Sequence, residues 1–168
     1  MTKLPLKDRF DLPVGMIYLD GNSLGPLPRG VAARLSTMVR DEWGANLIKG
    51  WNLDAWMEQP RRVGDRIARL IGAPEGAVTM GDTLSVKVYQ ALSASLKMRP
   101  ERRVILSDSG NFPSDLYMAE GLIRQMDAGY ELRIVEPDEV AGAMTDDVAV
   151  AMITQVDYRS GRLHDMAD

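Results

Sequence analysis

The sequence contains no cysteine, so it has neither a disulfide framework nor a thiolate for catalysis or metal binding. It has one histidine, His164, and a lone histidine cannot assemble a metal site. There is no apolar run of the ~18 residues needed for a membrane span, and no signal-peptide segment at the N-terminus. A net charge of −4 offers no basic surface for nucleic acid. These absences predict a cytoplasmic protein without a metal, membrane or nucleic-acid partner.

What is present is the composition of a globular protein, with 168 residues, 45% hydrophobic and 26% charged. Strand-like and helix-like patterns alternate along the chain. The predicted strands are 17–19, 78–80, 104–107, 132–135 and 148–153. The predicted helices are 29–43, one with Asp54 as N-cap that closes at Gly72–Pro74, one after Thr83, one from Pro113 to Gly129, and 138–144. This order predicts an α/β fold, with a mostly parallel sheet and flanking helices.

The most informative stretch is the turn before the third of these helices, at 78–89. Small and hydroxyl residues precede the helix, and Asp82 or Thr83 can cap it. Free backbone N–H groups and hydroxyls at a helix N-terminus make an anion site that suits a phosphate. The alternative is a capped helix start that binds nothing, and this turn alone does not decide between the two.

Two longer strings accompany that turn: Leu-Asp-Gly-Asn-Ser-Leu-Gly at 19–25 and Asn-Phe-Pro-Ser-Asp at 111–115. Together and in this order, the three stretches resemble kynureninase, over about residue 17 to the last residue. That family belongs to the fold-type-I, aminotransferase class V-like enzymes that depend on pyridoxal 5′-phosphate (PLP). The resemblance implies that the sequence is the N-terminal part of such an enzyme. The expected division is 1–50 (arm, substrate-loop strand and first helix) and 51–168 (the truncated first part of the large PLP-binding domain).

The resemblance implies eight cofactor-binding residues: Thr83, Leu84, Ser85, Phe112, Pro113, Ser114, Asp115 and Thr154. Leu84 and Ser85 occupy the family's phosphate-binding positions, through a backbone N–H and a hydroxyl. Phe112 is expected to stack on the pyridine ring and Asp115 to hydrogen-bond near it. The alternative for Phe112 is a hydrophobic staple onto the helix that follows it.

The resemblance also implies substrate contacts at Asn22, Ser23 and Trp51. Composition alone favours a plain connector at 20–25, and a tryptophan is most often a packing anchor. The family's Schiff-base lysine and pyridinium-pairing aspartate are expected beyond Asp168, so no catalytic residue is predicted in this chain. We therefore expect the 168 residues alone to be inactive. We expect Lys87 to face solvent and His164 to be a surface or helix-start residue.

The implied function of the parent enzyme is hydrolysis of L-kynurenine to anthranilate and L-alanine by a PLP-dependent homodimer. Its place is tryptophan catabolism, which can feed NAD synthesis. The sequence does not distinguish kynurenine from 3-hydroxykynurenine. Two alternatives stay open: another fold-type-I PLP enzyme, and a truncated, non-catalytic binding or assembly remnant.

Overall fold

The structure is a computed structural model that describes residues 6–167. The chain divides into two compact units, and the boundary between them in the sequence falls between Met80 and Gly81. The predicted domain boundary between residues 50 and 51 stays a prediction. Within the described range, no helix is both long enough and apolar enough to cross a bilayer.

The first unit contains a short antiparallel ribbon and a series of helices. The ribbon pairs β1 (Phe10–Asp11) with β2 (Leu27–Pro28). The helical elements are a 3₁₀ turn Lys7–Arg9, α1 (Val31–Thr37), a π-helical segment Met38–Gly44, a 3₁₀ turn Leu47–Lys49, α2 (Gly50–Leu53) and α3 (Gln59–Ile71). The predicted helix at 29–43 is confirmed in position, although its second half is π-helical.

Two predicted strands in this unit are wrong. Residues 17–19 and 78–80 have no strand partner, and a strand requires a neighbour for its N–H and C=O groups. The backbone at 78–80 lies against α3 instead: the Met80 N–H donates to the Pro60 carbonyl at 3.0 Å. Ile17 remains 83% exposed, so its apolar side chain marks no buried strand here.

The helix predicted to begin at Asp54 begins at Gln59, with Pro60 in its first turn. Proline lacks an N–H and is tolerated only where no helical donor is needed, so it fixes the start of α3. Asp54 caps nothing there. Its carboxylate accepts hydrogen bonds from Asn46 Nδ2 at 2.9 and 3.2 Å. The predicted end is confirmed, since Gly72 adopts a left-handed conformation with φ of 72°.

The second unit confirms the predicted α/β fold. Its three strands are all parallel, in the order β4-β3-β5. The elements are α4 (Leu84–Met98), β3 (Val104–Asp108), α5 (Pro113–Met126), β4 (Glu131–Val135), a 3₁₀ turn Pro137–Glu139 and β5 (Val148–Ala151). Every residue of β3 is buried, as expected for a central strand covered on both faces.

Both faces of β3 contribute to a hydrophobic core. On one face, Ile105 packs with Leu92 and Leu96 of α4 and with Leu122 of α5. On the other face, the core consists of Val104, Leu106, Val140 and Val148. The carboxyl end of β3 is therefore held between two layers.

Three element ends in this unit differ from the prediction. α5 ends at Met126 rather than at Gly129, because Asp127 already turns left-handed with φ of 45°. Residues 138–144 form no α-helix, only the 3₁₀ turn Pro137–Glu139 and further turns. β5 ends at Ala151, two residues earlier than predicted.

Candidate cofactor-binding site

The start of α4 presents the donors that a phosphate requires. Thr83 is the N-cap, in an extended conformation, and its side chain makes no cap hydrogen bond. Over residues 6–167, the hydroxyls of Thr83 and Ser85 have no intramolecular partner. The first N–H groups of an α-helix, here those of Leu84 and Ser85, also lack intrahelical acceptors. This donor set suits a phosphate dianion.

The direction of α4 follows from its connection to β3. Residues 99–103 join the end of α4 to the start of β3, so the C-terminus of α4 lies at the amino end of that strand. α4 packs on the sheet through Leu92 and Leu96. Its N-terminus is therefore directed toward the carboxyl edge of the sheet, where open α/β sheets bind ligands.

At that carboxyl edge, Asn111 links three segments of the chain. It is 4% exposed. Its Nδ2 donates to Ser107 Oγ at 2.9 Å and to the Met152 carbonyl at 3.0 Å. Its Oδ1 accepts from the Phe112 N–H and from Thr154 Oγ1, both at 2.7 Å. Asn111 thus joins the end of β3, the start of α5 and the chain after β5.

The four residues Phe112–Asp115 open α5, with Pro113 as its first residue as predicted. Phe112 is 45% exposed, and its role stays a prediction. Asp115 is buried in the first turn and accepts one long hydrogen bond, 3.4 Å, from Ser114 Oγ. A carboxylate has about four acceptor positions, so Asp115 retains capacity for a ligand donor.

Thr154 begins a structured loop that ends near His164. An isolated bridge joins Val156 to Leu163, and the His164 N–H donates to the Gln155 carbonyl at 2.8 Å. Within the loop, Asp157 accepts from the backbone N–H groups of Ser160 (2.9 Å) and Arg159 (2.7 Å). These hydrogen bonds lower the pKa of Asp157 to about 2.

His164 holds the far end of this loop in place. The prediction that it is a surface residue is therefore wrong. Its Nε2 lies 3.1 Å from Oδ2 of Asp108, a carboxylate that is 2% exposed at the end of β3. The other oxygen of Asp108 accepts the Gly110 N–H at 2.7 Å. The sequence signal for this pair is an aspartate that directly follows a buried strand.

Lys87, which was predicted to face solvent, is partly buried, and its hydrogen bond with Gln90 is exposed. Its side chain folds back over Gly81, where an added Cβ would lie 2.0 Å from Lys87 Cε and 2.2 Å from Nζ. Its ammonium donates to Gln90 Oε1 at 3.1 Å. A positive charge therefore lies beside the turn that leads into α4.

The three predicted substrate residues lie in the first unit. Asn22 and Ser23 are exposed in a turn closed by the Ser23 N–H, which donates to the Asp20 carbonyl at 3.1 Å. Trp51 is 46% exposed and makes an edge contact with Trp56, with ring centroids 6.0 Å apart. These positions are accessible to a ligand, and their role stays a prediction.

Comparison with known proteins finds similar kynureninases. The chain is 51% identical to a kynureninase of Burkholderia pseudomallei over 167 aligned residues, which cover 96% of this chain and 40% of the relative. It is 50% identical to a kynureninase of Burkholderia mallei and 47% identical to that of Pseudomonas fluorescens, with the same coverage. The predicted resemblance to kynureninase is confirmed. No protein-family model matches the chain.

The chain spans about two fifths of the length of the kynureninases that it matches. The site described above is built only from residues of this chain. It brings Phe112 and Thr154 together through Asn111, and it leaves the roles of all the predicted site residues as predictions.

Proposed function

We propose that this chain forms the phosphate-anchoring and ring-stacking part of a PLP-dependent kynureninase. The reaction is hydrolysis of L-kynurenine to anthranilate and L-alanine, or of 3-hydroxykynurenine to 3-hydroxyanthranilate and L-alanine. The observation that carries this proposal is the 51% identity to a kynureninase over nearly the whole chain. The unpaired donors at the start of α4 support it independently.

The start of α4 binds the phosphate. The backbone N–H groups of Leu84 and Ser85 donate to its oxygens, and the hydroxyls of Thr83 and Ser85 complete the set. The positive end of the α4 dipole favours the dianion. The Lys87 ammonium adds a full positive charge next to this turn.

Residues at the carboxyl edge of the sheet orient the ring. Phe112 covers one face of the pyridine, while Asp115 and Thr154 supply polar contacts near it. Thr154 is already fixed by Asn111, so it loses little freedom when a ligand binds. When bound, PLP supplies an electron sink for the negative charge that develops on the substrate. The Schiff-base lysine and the pyridinium-pairing aspartate that complete such a site are not among the residues described above.

The substrate contacts Asn22, Ser23 and Trp51. Asn22 and Ser23 offer amide and hydroxyl groups to the polar end of the amino acid, and Trp51 offers an aromatic wall to its aniline ring. We further propose a cytoplasmic homodimer that acts in tryptophan catabolism.

The test is turnover by the encoded protein that carries this sequence, supplied with PLP. Kynurenine should yield fluorescent anthranilate and alanine in equal amounts, and 3-hydroxykynurenine should be assayed beside it. Release of sulfur from cysteine, or amino transfer to a keto acid, would support another fold-type-I enzyme. Absence of any turnover with intact folding would support the non-catalytic remnant.

A further inference from the structure

We propose that Tyr158 is a positioning residue, whose ring holds Phe112 in the orientation that stacks on the pyridine of PLP. The loop that carries Tyr158 is preorganised by its own hydrogen bonds and by the contact between Asp108 and His164. This inference rests on the proposed function, because it gives Phe112 a ring to stack on.

The contact between the two aromatic rings is direct. Their centroids lie 4.9 Å apart with an interplanar angle of 62°, an edge-to-face arrangement. Phe112 is 45% exposed and Tyr158 is 52% exposed, so the pair does not form part of the hydrophobic core. The contact with Tyr158 restricts rotation of the Phe112 ring and leaves one face of that ring accessible at the carboxyl edge of the sheet.

The position of Tyr158 is fixed from its own loop. The Arg159 guanidinium carbon lies 5.5 Å from the centroid of the Tyr158 ring, in a cation–π contact. That guanidinium is held by Asp157 Oδ2 at 3.2 Å, and Asp157 also accepts the N–H groups that close the turn. The side chain of Tyr158 is therefore supported on a rigid turn.

The two ends of the loop are tied to β3 and its continuation. At the start, Thr154 Oγ1 donates to Asn111. At the end, His164 contacts the buried Asp108 at 3.1 Å. The same residue, Asn111, accepts the N–H of Phe112. The backbone of Phe112 and the loop of Tyr158 are thus both hydrogen-bonded to Asn111. This shared contact fixes the position of one ring relative to the other.

The experiment measures equilibrium binding to the encoded protein that carries this sequence. Its ligands are 4-deoxypyridoxine 5′-phosphate, which has the ring and phosphate without the aldehyde, and inorganic phosphate, which has no ring. The variants are Tyr158→Leu, Tyr158→Phe, Phe112→Leu and the double Phe112→Leu/Tyr158→Leu. Tyr117→Leu, at a 64% exposed tyrosine on α5 with no ring contact among the described residues, is the matched control.

We expect Tyr158→Leu to weaken binding of the ring-containing ligand by about twofold to tenfold, which is the range for the loss of an aromatic pair. The affinity for inorganic phosphate should not change. Tyr158→Phe keeps the ring and should bind as the unmodified protein does. The double variant should bind no more weakly than Phe112→Leu, because Tyr158 acts through Phe112.

Three outcomes would overturn the proposal. If Phe112→Leu weakens binding of the ring-containing ligand and Tyr158→Leu does not, Tyr158 does not position Phe112, and the proposed function stands. If Tyr158→Leu weakens both ligands equally, its role is structural only. If the unmodified protein binds neither ligand, this inference and the proposed function both fail.

Discussion

Replacement of Asn111 by alanine tests the link at the carboxyl edge of the sheet. The change removes four hydrogen bonds, to Ser107, Met152, Phe112 and Thr154. At about 1 kcal/mol each, their sum is about 4 kcal/mol. Phe112 and Thr154 are exposed enough to regain water, so we expect Asn111→Ala to lower the free energy of unfolding by about 2–4 kcal/mol.

The assay is urea unfolding of the encoded protein, followed by circular dichroism. Asn52→Ala, at an exposed asparagine with no side-chain partner among residues 6–167, is the control and should change stability by less than about 0.5 kcal/mol. Thr154→Val removes one of the four bonds, so its effect and that of Asn111→Ala should be less than additive. A loss below about 1 kcal/mol for Asn111→Ala would refute the reasoning.

Three further predictions concern the pH dependence, the packing and the charge of the chain. Folding lowers the pKa of Asp157 from 3.8 to about 2, so its ionised form adds stability above pH 4 that is lost as the pH falls toward 2. The difference in urea midpoint between wild type and Asp157→Asn should shrink over that range, and a constant difference would contradict it. Gly64→Ala places a Cβ 1.9 Å from a backbone carbonyl oxygen and should cost about 1–3 kcal/mol, whereas Gly121→Ala has open space and should gain about 0.5–1 kcal/mol of unfolding free energy. Lys87→Gln should weaken binding of inorganic phosphate by about twofold to fivefold at low salt and less at high salt; equal affinities at low salt would contradict this.

The sequence was sufficient for the three parallel strands and the two long helices of the second unit, because their signals are local and strong. The apolar run in β3 and β5 predicts a covered parallel sheet, and Pro113 marks the first residue of α5. The three strings at 19–25, 78–89 and 111–115 identify the relatives. These features depend on neighbours in the chain, which the sequence shows directly.

Two of the predictions that failed depend on contacts between distant residues. An apolar triplet such as 17–19 looks like a strand, yet whether it finds a partner is not a local property. His164 looked isolated because its partner, Asp108, is 56 residues away in the chain.

The most direct test of the central claim is a crystal structure of the encoded protein with bound 4-deoxypyridoxine 5′-phosphate. The account predicts the phosphate oxygens within about 2.7–3.2 Å of the Leu84 and Ser85 N–H nitrogens, with the pyridine ring against Phe112. A phosphate bound away from the start of α4, or a ring that does not touch Phe112, would contradict it.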